Sequence, residues 1–486
     1  MSINAPAKPL TLKDYKSDLH NDWCPGCVTP DTRIVMGDGT SRPITDVKVG
    51  DSVLGHDGKS HRVTEVMSHW HPDTLHRIAV CGRGAISLTA DHPVYVARID
   101  RVAETLRFEW IPAAEVLSGD QVMKSFGAPI LEFEKDPQPL VTAIAGRGGE
   151  NLRTIAKEQV VASAFALLTV EANEVVPYNG FVHNLEVEDV HSYVTEQGAL
   201  HNCGDFGILT GIQMALQQLQ IEPDKLAVYS GIGCSGKTPH YINGYGFHTL
   251  HGRVLTVATG GRLANTDLTV LALGGDGDGY GIGAGRRNAD FAYIVHNNNV
   301  YGLTKGQASP TLSKGKKTKS MPEQAIQDGI NPVAMAVASG YTFIARGYAL
   351  EPKYLASIIV KAIQHKGSAL VDVLQTCPTY NDLYTKEWYD GADLPEKRSR
   401  LYKLEEKGYD GKVQDPTDAQ EMVAKKAAAV ARSYETDPIP IGIYYQVELP
   451  TYEDAVAQRI PALAEKPLVE QDVFHRDVTS LLEAMR

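Results

Sequence analysis

No apolar run in the 486 residues approaches the ~20 that cross a bilayer, so no membrane-spanning helix is expected. The N-terminus, MSINAPAKPLTLKDYKSDLHNDW, lacks the apolar stretch of a secretory signal, which makes the cytoplasm the expected location. A basic excess is missing as well. The formal net charge of −12 argues against nucleic acid or an anionic membrane as partner. The one basic run, Lys314-Gly315-Lys316-Lys317-Thr318-Lys319, reads as a solvated loop or, more sharply, as a dock for an acidic protein. Cysteine is scarce: six residues are too few for a disulfide scaffold and suit metal binding or catalysis in a cytoplasmic chain. The length exceeds what one core fills, so several domains are expected.

What is present is a motif in two halves. Asp22-Trp23-Cys24-Pro25-Gly26 stops at Cys27, and Cys203-Gly204-Asp205-Phe206-Gly207 resumes it. Joined, they spell DWCPGCGDFG, with two cysteines at Cys-x-x-Cys spacing. The 176 residues between, 27–202, begin with Cys27 and end in His201-Asn202. Removing them leaves a host of 310 residues with four cysteines, Cys24, Cys203, Cys234 and Cys377, the ligand number of a tetrathiolate centre.

The texture changes along the chain. Residues 1–26 form a short lead. From 27 to about 130, short apolar runs alternate with Gly and Asp turns, such as Thr32–Met36 before GDG, and predict an all-β unit. The Ala-rich stretch IAKEQVVASAFALLTVEA, within 131–175, reads as helical, and 176–202 returns to strand-like text. After Cys203 the pattern becomes α/β. ILTGIQMALQQLQ and PKYLASIIVKAIQHKG are helix-like; LAVYSGIG, LTVLALGGDG, FAYIVHNNN and SALVDVLQT are strand-like with ligand-type ends. The charged segment from about Tyr384 is expected to wrap the domain or meet another subunit. The boundaries are 1–26, 27–202, 203–400 for the α/β domain, and 401–486 for a C-terminal extension.

The guest carries the parts of a self-excision. Cys27 is placed to attack the Gly26 carbonyl, exchanging an amide for a thioester. In Thr89-Ala90-Asp91-His92, His92 is placed to protonate the departing nitrogen and Thr89 to hold the strained carbonyl. Cys203 then takes the acyl group, Asn202 cyclises on its own carbonyl, and His201 and His191 give acid–base help. An S-to-N shift joins Gly26 to Cys203. Any one of these residues alone is weak evidence; their order, with a host motif restored on removal, carries the reading. Residues 27–202 resemble a mini-intein of the Hedgehog/intein (Hint) family. Cys27–Thr32, the Thr89/His92 pair, Val182–His191 and His201-Asn202-Cys203 match its splicing blocks in order. Asn184 stands where many members carry an acid. No LAGLIDADG box is present, so no DNA cleavage is expected.

In the host, Cys24-Pro25-Gly26-Cys203 would put two thiolates on one turn, with Cys234 and Cys377 at strand ends; iron–sulfur or structural zinc both fit. Gly275-Asp276-Gly277 followed by Asn297-Asn298-Asn299 suits a diphosphate with Mg²⁺. WCPGCGDFGIL (rejoined), SGIGCSGKTPHYI, FHTLHGR, GGDGDGYGIG, YGLTKGQASPT and CPTYNDLYTKEWY resemble the β subunit of 2-oxoacid:ferredoxin oxidoreductases. The resemblance implies a thiamine-diphosphate fold, with Mg²⁺ on Asp276, Asn298 and the Val300 carbonyl. Lys237, Thr249, His251, Arg253, Gly275, Gly277 and Tyr301 to Thr304 would line the cofactor pocket, and the four cysteines would hold a [4Fe–4S] cluster. It implies decarboxylation of a 2-oxoacid, 2-oxoglutarate before pyruvate, with coenzyme A as acyl acceptor and ferredoxin as electron acceptor. A separate α subunit would supply the glutamate that activates the cofactor. Asp276 to Asn298 spans only 22 positions, shorter than the family's motif, which threatens to displace the strand presenting Asn298. The fold expected is multidomain: an all-β Hint-type unit inserted in an α/β thiamine-diphosphate-binding fold. Alternatives are a zinc- or thiamine-binding subunit without turnover, and an autoprocessing protein that only cleaves.

Overall fold

The computed structural model of the chain describes residues 9–17, 27–90, 92–100, 105–125, 165–188, 192–201, 203–318, 320–381, 383–472 and 478–485. Cys24, His191 and Asn202 lie outside these.

The guest is all-β among the described residues. Its strands include β1 (Ser52–Leu54), β2 (Ser60–His71), β3 (Thr74–Val80), β4 (Gly84–Leu88), β5 (Pro93–Asp100), β6 (Thr105–Pro112), β7 (Gln121–Ser125), β8 (Phe165–Pro177), β9 (Gly180–Val187), β10 (Ser192–Val194) and β11 (Ala199–His201). One sheet runs β10-β11-β5-β7-β8-β3-β4, with β6 also on β5; a second runs β9-β2-β1. Alternation supplies the core: Ile78 and Val80 on β3, Ile86 and Leu88 on β4, and Val94 and Val96 on β5 are all buried in one cluster. The expected helix is overturned where it is described. Phe165–Ala172 lies in β8, which pairs antiparallel with β7 at one end and β3 at the other. Two neighbouring strands offering a full backbone ladder outweigh the helix propensity of an Ala-rich stretch.

The host is a twisted, mostly parallel sheet with helices on both faces. Its strands are β12 (Leu226–Ser230), β13 (Tyr245–His248), β14 (Thr269–Gly275), β15 (Phe291–Asn297), β16 (Phe343–Tyr348), β17 (Ser368–Leu374), β18 (Leu401–Lys403) and β19 (Ile439–Gln446), ordered β13-β12-β14-β15-β17-β16-β19-β18. Only the β16–β19 pairing is antiparallel. The central strands are buried on both faces, as a helix-covered parallel sheet requires. Residues after 400 therefore do more than wrap the domain: β18 and β19 extend its sheet. Ile441, Tyr444 and Tyr445 of β19 are buried, giving an apolar strand inside a charged segment.

The helices are α1 (Gly204–Leu219), α2 (Val254–Ala264), α3 (Ile282–Arg287), α4 (Pro332–Ser339), α5 (Pro352–Gln364), α6 (Lys386–Tyr389) and α7 (Ala419–Ser433), among shorter turns. On α5, Leu355, Ile358, Ile359 and Ala362 are buried at helical spacing. Gly211 lets α1 approach it: a Cβ there would lie 3.2 Å from the Leu355 side chain. The short stretch between Asp276 and Asn298 is rebuilt as the six-residue α3, and β15 keeps its parallel register with β14. Asp276 and Asn298 both follow strand ends that sit side by side in this register.

Candidate functional site

Both ends of the guest meet one turn. Val28 bridges to Leu88, and Leu200 pairs with Val94. Leu88 and Val94 flank Thr89–His92, where the His92 N–H donates to the Thr89 carbonyl at 3.1 Å. Thr89 Oγ1 accepts the Cys27 N–H at 2.7 Å, and the Thr89 N–H donates to the Cys27 carbonyl at 2.9 Å. That Cys27 nitrogen belongs to the peptide bond expected to break. Cys27 is buried and His92 wholly so. Burial pushes the His92 imidazole down to about 3, with the Cys27 backbone pulling the other way, so the ring is neutral near pH 7. Neither of its nitrogens has a hydrogen-bond partner among the described residues. Its ring stands edge-on to Tyr193, centroids 6.5 Å apart, and Tyr193 Oη donates to Asn184 Oδ1 at 2.8 Å. Asn184 thus serves as an acceptor for a tyrosine. His201 ends β11.

The host's candidate residues gather at the C-terminal edge of its sheet, as strand direction dictates for this architecture. Asp276 follows β14 and Asn298 follows β15; both are buried and line one cleft with Gly275, Gly277, Val300 and Thr304. The Ser309 and Thr311 hydroxyls both donate to Asp276 Oδ2. Burial lifts the Asp276 carboxyl to about 7 against these contacts. Behind it, Thr311 Oγ1 lies 3.0 Å from Asn297 Oδ1, Asn297 Nδ2 donates to Asp372 Oδ1 at 2.9 Å, and Arg346 Nε donates to Asp372 Oδ2 at 2.8 Å. Asn298 Oδ1 accepts the Val300 N–H at 3.1 Å. His251 also lines the cleft, 3.8 Å from Asp278.

Lys237, Thr249 and Arg253 stand back from this lining. Lys237 lies in the 3₁₀ segment Ser235–Tyr241, Thr249 Oγ1 donates to the Ser230 carbonyl at 2.8 Å, and Arg253 is the N-cap of α2. Ser235 Oγ, Asp278 Oδ2 and His296 Nε2 are buried in the cleft walls without partners among the described residues. Buried polar atoms left in this way fit a bound group that brings donors and acceptors of its own, such as a diphosphate with its cation.

Three of the four candidate thiols converge beside this cleft. A Cβ at Gly302 would lie 3.4 Å from Cys234 Sγ and 3.9 Å from Cys377 Sγ, so the glycine keeps the space between them clear. Burial, then Asp205, then Cys377 and Cys234 push the Cys203 thiol well up. Cys203 Sγ donates to Asp205 Oδ2 at 3.2 Å, and Asp205 Oδ1 lies 2.6 Å from His296 Nδ1. Without Cys24, no group of three His, Cys, Asp or Glu among the described residues is close enough to hold a metal. None of the described thiols is in a disulfide, and the clear space beside Gly302 fits a thiolate-held cluster. Ser309, Thr311, Asp205, His296 and Asp372 escape sequence reasoning; Ser309 and Thr311 both stand inside the QASPT text with nothing to mark their partner.

A family model described as "Thiamine pyrophosphate enzyme, C-terminal TPP binding domain" matches residues 231–373, and the C-terminal model of the pyruvate ferredoxin oxidoreductase beta subunit matches 377–459. The chain is 54% identical over 276 residues to the 2-oxoacid:ferredoxin oxidoreductase subunit beta of Saccharolobus solfataricus, across 54% of this chain and 87% of that protein. The chain belongs to the family of 2-oxoacid:ferredoxin oxidoreductase β subunits. The family's fold accounts for the host sheet. A solved 2-oxoglutarate:ferredoxin oxidoreductase from Magnetococcus marinus, with 2-oxoglutarate, coenzyme A and succinyl-CoA bound, is similar at 31% identity and TM-score 0.50, over 58% of this chain and 90% of that one. An intein-like domain from Clostridium thermocellum is 19% identical with TM-score 0.24, over 36% of this chain and 98% of that one. Among the described residues, no helix of this β subunit is long and apolar enough to cross a membrane.

Proposed function

We propose that the chain is a precursor that excises residues 27–202 and becomes the β subunit of a 2-oxoacid:ferredoxin oxidoreductase. The observation that carries the excision is the Thr89–His92 turn, which grips Cys27 while the guest's last strand pairs on its far side. Cys27 Sγ attacks the Gly26 carbonyl carbon as the carbon–nitrogen bond breaks. Neutral His92 accepts the thiol proton and passes it to the departing Cys27 nitrogen, which Thr89 has held in place. Cys203 Sγ displaces the Cys27 thiolate from the acyl carbon. The Asn202 side-chain nitrogen then closes on its own carbonyl carbon and releases the Cys203 amine, with His201 and His191 handling protons. That amine takes the acyl group from sulfur, and Gly26 is joined to Cys203. Asn202 and Cys203 together favour ligation over a cleavage-only reading.

In the spliced protein, Asp276, Asn298 and the Val300 carbonyl would hold Mg²⁺ with the diphosphate of thiamine. Cys24, Cys203, Cys234 and Cys377 would hold a [4Fe–4S] cluster. The thiamine would supply the electron sink for loss of CO₂, and the cluster a one-electron path toward ferredoxin. Ser309 and Thr311 orient Asp276, and the Arg346–Asp372 pair fixes Asn297 behind it. The exposed edge strand β13, with Tyr245 and Phe247 open to solvent and exposed Leu250 just after it, supports coverage of that side of the site by an α subunit. Likeness to the 2-oxoglutarate enzyme supports 2-oxoglutarate ahead of pyruvate, with coenzyme A as acyl acceptor. A zinc-holding scaffold without turnover is the competing reading.

Intact mass after expression tests the first half. A ligated product of 310 residues and a released one of 176 are expected; a chain that stays at 486 under prolonged reduction would overturn it. Iron and sulfide analysis, with 2-oxoacid-dependent reduction of ferredoxin in the presence of the α subunit, tests the second half.

A further inference from the structure

Away from both sites, the guest meets the host body through three ion contacts among the described residues. Lys16 Nζ lies 3.1 Å from Glu65, Lys353 Nζ 2.6 Å from Glu188, and His56 Nε2 3.1 Å from Glu387 Oε1. The Lys353 pair involves a solvent-exposed lysine, where such pairs contribute little, and in the Lys16 pair, which is half-buried, burial still raises the Glu65 carboxyl. The third is different in kind. His56 is buried, edge-on to Trp110 and Tyr95. Its Nδ1 lies 2.6 Å from Ser192 Oγ, and its backbone N–H also reaches that oxygen at 3.3 Å. Burial raises the Glu387 carboxyl, but the His56 contacts outweigh this and hold it well below the usual carboxylate range.

Ser192 opens β10 and pairs directly with His201 of β11. His201 immediately precedes Asn202 and the bond to Cys203. A continuous path thus runs from a host carboxylate on α6, through one guest imidazole and one guest hydroxyl, to the strand that presents the C-terminal junction. Glu387 is 184 positions downstream of that junction. No covalent or local feature ties it there.

We propose that Glu387 is a positioning residue for self-excision: anchored on the folded host, it fixes His56, which fixes Ser192 and so the place of His201 at the C-terminal junction. The proposal rests on the splicing reading above. It makes the host's own fold part of the machinery that completes the guest's departure, acting on Asn202 cyclisation and leaving thioester formation at Cys27 to the Thr89–His92 turn.

The test uses the full-length chain in two backgrounds. Cys27→Ala isolates C-terminal cleavage, and Asn202→Ala isolates dithiothreitol-induced N-terminal cleavage; both are followed by intact mass. Glu387→Ala is expected to slow C-terminal cleavage about tenfold, within the range for coupled neighbours. Glu387→Gln, which keeps an acceptor oxygen, should restore most of the rate. N-terminal cleavage should stay within about twofold, as for a site that shares no partners with the change. His56→Ala combined with Glu387→Ala should be no slower than the worse single variant. C-terminal cleavage that ignores Glu387→Ala, equal slowing of both branches, or additive slowing in the double variant would each overturn the proposal. If the Cys27→Ala parent never cleaves at Asn202 and the wild-type chain never ligates, the splicing reading itself falls, and this proposal with it.

Discussion

Thr89 holds Cys27 from both sides of the residue: its hydroxyl accepts the Cys27 amide proton at 2.7 Å, and its own amide donates to the Cys27 carbonyl at 2.9 Å. In the proposed excision, a cysteine nucleophile fixed through its backbone would retain a movable thiol beside a clamped scissile nitrogen. Thr89→Ala removes one clamp and leaves a buried donor without its acceptor. Dithiothreitol-induced N-terminal cleavage should slow roughly tenfold to a hundredfold, from the ~1–3 kcal/mol of an unmet buried group. Thr89→Ser should recover much of it. Timed intact-mass measurements in the Asn202→Ala background check this.

His92 carries a pH signature. Its folded pKa of about 3 lies below the 6.5 of a free imidazole, so the unfolded chain binds the extra proton between those values. The neutral ring's contribution to guest stability is complete above pH 6.5 and is lost as pH falls through the folded value. The loss should approach roughly 5 kcal/mol at the acid end. Urea unfolding of the splicing-inactive Cys27→Ala/Asn202→Ala chain should show that slope, and His92→Leu should flatten it.

At the host site, Ser309→Ala and Thr311→Ala should each weaken Mg²⁺-dependent thiamine-diphosphate binding by about tenfold to a hundredfold, the usual effect of removing a partner that orients a metal ligand. Calorimetry on the spliced protein measures it. Asp276→Asn should cost more than either, because it removes the charge itself.

Unspliced chain should be colourless. With the guest in place, 176 residues stand between Gly26 and Cys203 in the chain, so the Cys24-Pro25-Gly26-Cys203 turn is not yet joined, and the Cys203 thiol is buried against Asp205. The Asn202→Ala precursor should contain less than about one iron per chain, while spliced protein reconstituted with iron and sulfide should approach the roughly four of its cluster. Cys234→Ser or Cys377→Ser should abolish the visible absorption of the spliced form.

Arg346 and Asp372 form a buried pair whose carboxylate also fixes Asn297. Arg346→Met leaves that carboxylate uncompensated and should destabilise the host by about 3–5 kcal/mol. Chemical denaturation of the spliced protein gives the value, and thiamine-diphosphate affinity should fall alongside.

The parts legible in the sequence are those written locally. Strand-like text before Asp276 and Asn298 forms β14 and β15, and the Thr89–His92 box lies between β4 and β5 as a turn. Phe165–Ala172 reads as helix because its residues form helices readily, and only partners roughly 40 to 90 positions away make it a strand. Strand β19 is hidden by the charge around it. The contacts of Asp205 with His296 and of His56 with Glu387 join residues 91 and 331 positions apart, and no periodicity encodes such a meeting. Lys237, Thr249 and Arg253 share motif text with the cleft but not its lining, since adjacency along a loop does not fix where each side chain turns.

Met67, on strand β2 of the guest, is buried in the same apolar cluster as host residues Tyr15, Phe206 and Ile242. If residues 27–202 leave as proposed, the apolar seat that Met67 fills in this cluster is vacated. On that reading the ligated protein would resettle its packing around Tyr15 and Phe206 after the bond is made, so that ligation and maturation would be successive events with separate clocks.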